Sequence, residues 1–384
     1  MTPRQRRMAV ALIWLVGIAP IAAAPAGGMG QDTLQAAVSA GSAALQRGDY
    51  AAAELAFREA LKLDPDSVPL LNNLAIALAR QQREAEAIGL YERALQLKPG
   101  DPVTKRNLGV AYFRAQKYQL ALPLLTAFAQ ETSSYQALDL TGLDLFALDR
   151  YEEAAKYLAA AHQLQPNDLH TLDILGKAYM RTKNYSGATE VFSQIMAIDP
   201  NSAEAHVMLA MADDKLFRED EAIKEFQAAA AVDPHYPGIH TGLGVIFWRN
   251  DNLDAAEREF RLELERYPKD PIANCTLGRI LSKRNHPAEA VVYLEAALTV
   301  NPAYRDALLA LGQAKIALEQ PAAAIAPLEQ ATKLDPNDAE AHYILGTALN
   351  QAGRPAEGAK QRALSAQLRE KQRTQAGKQT TPPG

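Results

Sequence analysis

Residues 244–252 read GVIFWRNDN, two aromatics beside an arginine with a glycine just upstream. That composition is shared by cofactor boxes and by nucleic-acid stacking platforms, and Trp248 is one of only two tryptophans in 384 residues. Other residue types that carry chemistry are scattered. Seven histidines occur without an H-E-x-x-H helix or a paired-cysteine spacing, the patterns that would gather zinc ligands. Gly242-Leu243-Gly244 has no preceding strand signal, which a dinucleotide-binding loop requires. The acidic run REDEA at 218–222 stands at a turn into a helix, where carboxylates suit the helix dipole. Cys275 is the only cysteine, so no intrachain disulfide can form. The expectation is therefore no catalytic residue, no metal and no cofactor: a chain that is not an enzyme.

Bulk properties narrow the partners. With 48% hydrophobic and 22% charged residues the chain has enough apolar content to fold. Alanine, the best helix former, is abundant through the interior, which points to an all-α protein. The formal net charge is −5, and it becomes more acidic if the leader described next is removed. Nucleic acid is an unexpected partner for such a chain, because sequence-independent binding needs a basic face that displaces counterions. Arg4, Arg6 and Arg7 precede an apolar run from Met8 to Ile21, and Ala24-Pro25-Ala26 follows. A basic start, a short apolar stretch and a small-residue site make residues 1–26 a secretory signal peptide. The expected location is then exported, periplasmic or secreted. The alternative keeps residues 8–26 as an uncleaved membrane anchor.

The surroundings of Trp248 change meaning once self-similarity is examined. Prolines stand at 65, 99, 166, 200, 234, 268, 302 and 336, steps of 34 residues apart from one of 67. The longer step is two units with one residue missing near Ser133. Units then span 34–67, 68–101, 102–134, 135–168, 169–202, 203–236, 237–270, 271–304, 305–338 and 339–370. Residues 27–33 form a linker, and 371–384 a polar, disordered tail. Small residues recur at the eighth place of a unit (Gly109, Gly176, Gly244) and at the twentieth (Ala121, Ala188, Ala256). They let two helices of one unit approach closely. Ser67, Asp101, Ser134, Asp168, Ser202, Asp270 and Asp338 each precede a first helix as N-caps. The shortened segment 129–136 is either a hinge or a deletion absorbed by the turn.

This L-G…Y…A…F…P skeleton at 34-residue spacing resembles the tetratricopeptide repeat family over residues 34–370. The resemblance implies an all-α, right-handed α-solenoid: a superhelix of helix–turn–helix units that share one continuous core. It also implies a concave groove lined by first-helix places 2, 5, 6, 9, 12 and 13. Carried over, the groove takes Asn73, Arg80, Arg106, Asn107 and Arg114 from the early units. Phe146, Lys177 and Arg181 follow, then Met211, Lys215, Trp248, Arg249, Arg279 and Lys283. Trp248 is thus a twelfth-place groove residue within a repeat copy. Arg80, Arg114, Arg181, Lys215, Arg249 and Lys283 share place 13, either a basic rail for an acidic ligand or cations suited to helix ends. The two-carboxylate clamp of some family members is not reproduced, since no unit has Lys at place 5 with Asn at place 9.

The implied function is an exported, non-enzymatic scaffold that binds a protein or extended, partly acidic peptide in its groove, in bacterial envelope assembly or secretion. Two alternatives stay open. One is a membrane-anchored assembly factor that retains residues 8–26, the only case in which a membrane is a partner. The other is a glycan- or polymer-binding solenoid acting through Trp248.

Overall fold

A computed structural model describes residues 29–379. Every element among the described residues is a helix. In a first unit, ending at Pro200, α1 (Met29–Arg47) pairs with α2 (Tyr50–Leu63), and α3 (Val68–Arg80) with α4 (Glu84–Leu97). The pairs α5 (Pro102–Arg114) with α6 (Tyr118–Thr132) and α7 (Tyr135–Ala147) with α8 (Tyr151–Leu164) follow. The unit closes with α9 (Leu169–Arg181) on α10 (Tyr185–Ile198).

A second unit, beginning at Asn201, opens with α11 (Ala203–Lys215) on α12 (Glu219–Val232) and α13 (Ile239–Arg249) on α14 (Leu253–Arg266). Then come α15 (Pro271–Lys283) on α16 (Pro287–Val300) and α17 (Arg305–Ala317) on α18 (Pro321–Leu334). The last pair is α19 (Ala339–Gln351) on α20 (Pro355–Gln379). The chain is the stack of helix–turn–helix pairs expected of an all-α solenoid. Inside each unit the second helix of a pair packs on the first helix of the next.

Local chemistry sets the helix starts. The side chains of Asp101, Ser134, Asp168, Ser202, Asp270 and Asp338 accept backbone N–H groups of the first turn that follows. Those donors have no partner inside a helix. Ser67 holds the same position without a side-chain bond, and Pro69 enters that first turn instead. Within each pair one left-handed residue makes the turn, among them Gly48, Gln82, Lys183, Phe217, Asn285 and Gly353. All stand at place 15, and most are not glycine, so packing overrides the residue preference there.

Packing between paired helices follows one rule. Place 24 of the second helix carries a large apolar side chain in most pairs, and Phe57, Tyr91, Phe192, Phe226 and Phe260 are buried there. The facing first helix must leave room. A Cβ on Gly176 would sit 2.6 Å from the Phe192 ring, and one on Gly244 would sit 2.8 Å from Phe260. Alanine at place 20 is fully buried from Ala53 to Ala324. The last pair substitutes Arg362 and Ser365, and Ser365 is nevertheless buried, its hydroxyl donating to the Ala339 carbonyl at 2.6 Å.

The ends differ from expectation. Residues 29–33 are helical, not linker, because Asp32 favours a helix N-terminus and no proline intervenes. Residues 371–379 continue α20 instead of forming a disordered tail; Lys, Gln, Arg and Ala are good helix formers, and the first proline beyond is Pro382. The signal-peptide reading of residues 1–26 lies outside the described residues. At 129–136, Ser133 closes α6 in a left-handed conformation with φ 46° and Ser134 caps α7. The turn is thus made with one residue fewer, and the division into units falls at Pro200 instead. Among the described residues no helix is long and apolar enough to cross a membrane.

Candidate functional site

First helices approach the next first helix directly, as α3 does α5 in the first unit and α15 does α17 in the second. They therefore line the inner face of each unit, and side chains from successive pairs meet there. On α13 and α15 this brings Trp248, Arg279 and Lys283 together. The Arg279 guanidinium lies over the Trp248 ring at 5.3 Å from its centroid, and the Lys283 ammonium at 5.7 Å. Both are within cation–π range. Beside them opens a cavity of about 360 Å³ lined also by Ser282, Asn285 and Gln313, with Ala310, Ala314 and Ala317 from α17. Gln313, Ser282 and Asn285 were not among the expected groove residues. Gln313 could have been found, since it repeats Arg279's place one unit on.

The six place-13 cations do not form an open rail. Most reach back to the preceding pair. Arg114 forms an ion pair with Glu84 at 2.5 Å and donates to the Ala79 carbonyl at 3.3 Å. Arg249 bridges Asp214 and Glu219, each at 2.7 Å. Lys283 pairs with Asp251 at 2.5 Å. Lys215 is 3.4 Å from Asp214 on its own helix. Arg80 and Arg181 lie over the rings of Tyr50 and Tyr151 at 5.9 and 5.7 Å. The Asp214 bond raises the Arg249 pKa above its ordinary value, the mark of a cation already held. These pairs join one helix pair to the next, a structural job that place 13 performs whatever else it does.

Other expected groove residues divide by burial. Met211 is exposed, Phe146 half-buried and edge-on to Tyr151 at 5.2 Å, and Lys177 bound to Asp173 at 2.7 Å. Arg106 lies over Phe128 at 5.6 Å. Asn73 and Asn107 do not face solvent: they are 0% and 1% exposed, because α3 and α5 are packed against first helices as well as second ones. Neighbouring Asn72 shows what this buried row does, donating to the Thr104 hydroxyl at 2.7 Å across the helix interface.

The histidines act within pairs. His206 bonds Glu225 at 2.6 Å, His240 bonds Glu259 at 2.8 Å, and His342 bonds Gln361 at 2.6 Å, each joining a first helix to its second. The Glu259 bond raises the His240 pKa. Among the described residues no three His, Cys, Asp or Glu side chains gather to hold a metal. Cys275 is buried, and burial pushes its thiol up to about 11.

One buried carboxyl has no counterpart elsewhere in the array. Asp144 is fully buried at place 10 of α7, and both its oxygens lack a hydrogen-bond partner. Burial raises its pKa to about 7. Equivalent positions hold Ala77, Ala111, Ala178, Ala212, Ile246, Ile280, Ala314 and Ala348, all buried.

Two models of the tetratricopeptide repeat match the chain, one at residues 38–102 and 207–271 and the other at 145–212 and 281–347. A model of anaphase-promoting complex, cyclosome, subunit 3, matches 80–161. The peroxisomal targeting signal receptor of Candida glabrata is 40% identical over 74 residues, 19% of this chain and 12% of the receptor. Photosystem I assembly protein Ycf3 of a Synechococcus strain is 37% identical over 75 residues, 19% of this chain and 43% of that protein. The chain thus spans less than half the length of these relatives. Among solved structures, the APC/C hetero-tetramer Cut9–Hcn1 is similar over 88% of this chain and 87% of its own, with 16% identity and a TM-score of 0.45.

Proposed function

We propose that this chain, whose helix pairs are tetratricopeptide repeats, is an exported, non-enzymatic interaction scaffold that holds an extended polypeptide on its inner face. The observation that carries the reading is the meeting of Trp248, Arg279 and Lys283 from two successive first helices beside a cavity. An extended ligand crosses helix after helix, so a site assembled from several helices suits it. Aromatic and arginine side chains are also the residues that dominate binding energy at interfaces. Export rests on the basic, apolar and small-residue order of residues 1–26. A role in envelope assembly or secretion follows from export together with the absence of a catalytic pattern in the sequence.

The test is capture from an envelope extract with the full chain and with a variant carrying Trp248→Ala, Arg249→Glu and Arg279→Glu, both checked for native helicity. A protein held by the native chain and lost by the variant supports the reading. Equal retention by both moves binding off this face. Intact-mass analysis of the exported protein checks the leader: cleavage removes the first residues through Ala26, and a full-length mass refutes it.

A further inference from the structure

The cavity between α13, α15 and α17 is not electrically neutral. Its lining holds two cations, Arg279 and Lys283, and no carboxylate. Lys283 is matched by Asp251. Arg279 is exposed and, among the described residues, pairs with no carboxylate; its guanidinium lies over the face of Trp248. This sets it apart from Arg114, Arg249 and Lys215, which all have acidic partners from their own unit.

We infer that this cavity is a carboxylate-binding subsite, in which Arg279 receives an acidic group of the bound polypeptide; the inference rests on the scaffold reading above. The Trp248 ring holds the guanidinium by a cation–π contact, and a guanidinium can meet a carboxylate with two parallel N–H bonds. Ser282 adds a second donor. It lines the same cavity, and its hydroxyl oxygen is shielded from solvent and has no hydrogen-bond partner. A hydroxyl left so is costly unless something fills the need. Space is provided by α17, where Ala317 takes the place that the cation ladder occupies on α13 and α15, and Ala310 and Ala314 keep that wall low. A volume of about 360 Å³ lies at the small end of ligand pockets and suits one or two side chains of a passing chain. One uncompensated cation matches a singly charged carboxylate. A phosphoryl group, with about −1.5 to −2 charge, would leave net negative charge in the cavity.

The probe is Trp248 fluorescence in the full chain carrying Trp14→Phe, which makes Trp248 the sole tryptophan. The first ligand is an acetylated, amidated peptide alternating glutamate and glycine, beside its glutamine analogue. The expected result is a saturable change in emission with the glutamate peptide, weakened about tenfold or more by the glutamine analogue and by Arg279→Gln. Arg258→Gln, on the exposed face of α14, leaves the affinity unchanged, and Arg279→Lys recovers part of the loss. A neutral peptide with a free C-terminus, bound in preference to the amidated glutamate peptide, assigns the carboxylate to a chain end. Equal affinity in Arg279→Gln of native helicity, equal binding of the glutamine analogue, or tighter binding of a phosphoserine peptide overturns the inference. If Arg279→Gln alone leaves extract capture intact and the peptides do not bind, the subsite fails while the scaffold stands. If the native chain captures nothing, the scaffold reading itself fails.

Discussion

Asp144 gives the first unit a built-in dependence on pH. The carboxyl is fully buried, its oxygens have no partners, and burial alone raises its pKa from 3.8 to about 7. The folded state therefore holds a proton that the unfolded chain releases near pH 4. Between those two values the native state binds more protons, so stability is greatest when the group is protonated and falls as pH rises toward 7. Taking about 1.36 kcal/mol per unit, the full effect is about 4 kcal/mol, of which about 2.5 kcal/mol is lost between pH 5 and pH 8. Asp144→Ala restores the residue type of the equivalent places and removes this term. The assay is urea unfolding followed by helicity at pH 5, 6, 7 and 8, with hydrogen exchange of α7 amides as a local readout, because repeat arrays open piecewise. The variant's advantage over the native chain should grow with pH by about the stated 2.5 kcal/mol. Other raised carboxyls, such as Asp139 at about 6, are present in both proteins and cancel in the difference. Parallel pH profiles for the two proteins would refute the argument, and so would a variant that loses its advantage as pH rises.

Three further outcomes follow from the same geometry. Phe217 is 82% exposed and left-handed at φ 59°, so Phe217→Gly should stabilise the second unit by about 1 kcal/mol in urea unfolding; no gain would mean the turn carries no strain. Phe192→Ala empties the space that Gly176 leaves for the ring and should cost about 3–5 kcal/mol, seen as accelerated exchange in α9 and α10. His240, with its pKa raised above 6.5 chiefly by Glu259, contributes stability that is full below the unfolded value and lost as pH rises through the folded one; Glu259→Gln should lower the His240 value in an NMR titration, and an unchanged titration would sever the pair.

Much of the fold was legible because it repeats. A proline every 34 residues, capping residues two places later and small residues at two fixed places are local signals, and each repetition strengthens the others. The left-handed turn at place 15 left no such signal. Gln82, Lys183, Phe217 and Glu319 adopt it with nothing in common as residue types, because the two helices they join are fixed by packing elsewhere. Asn73 and Asn107 escaped for a related reason. Place 6 was assigned to the groove by resemblance, and only packing of α3 and α5 on their neighbouring first helices buries it. Asp144 was passed over because a single acidic residue in a helix reads as surface until its register is compared with the alanines and isoleucines at the same place.

The cation ladder shows where sequence periodicity stops being informative about binding. Period alone makes Arg114, Arg249 and Lys283 equivalent at place 13, with Arg279 at place 9 on the same positive face. Which of them is open to a partner depends on acids that share a period only in part: Glu84 answers Arg114, Asp214 and Glu219 answer Arg249, and Asp251 answers Lys283. Each partner lies one repeat earlier, Glu84 and Glu219 at place 17, Asp214 at place 12 and Asp251 at place 15, so no single alignment column reveals every neutralisation. A repeat array can therefore keep cations at the same place along its length for joining helix pairs, and still concentrate recognition where the acids lapse. In the second unit the acids lapse beside Trp248, where the guanidinium of Arg279 meets a ring instead of a carboxylate.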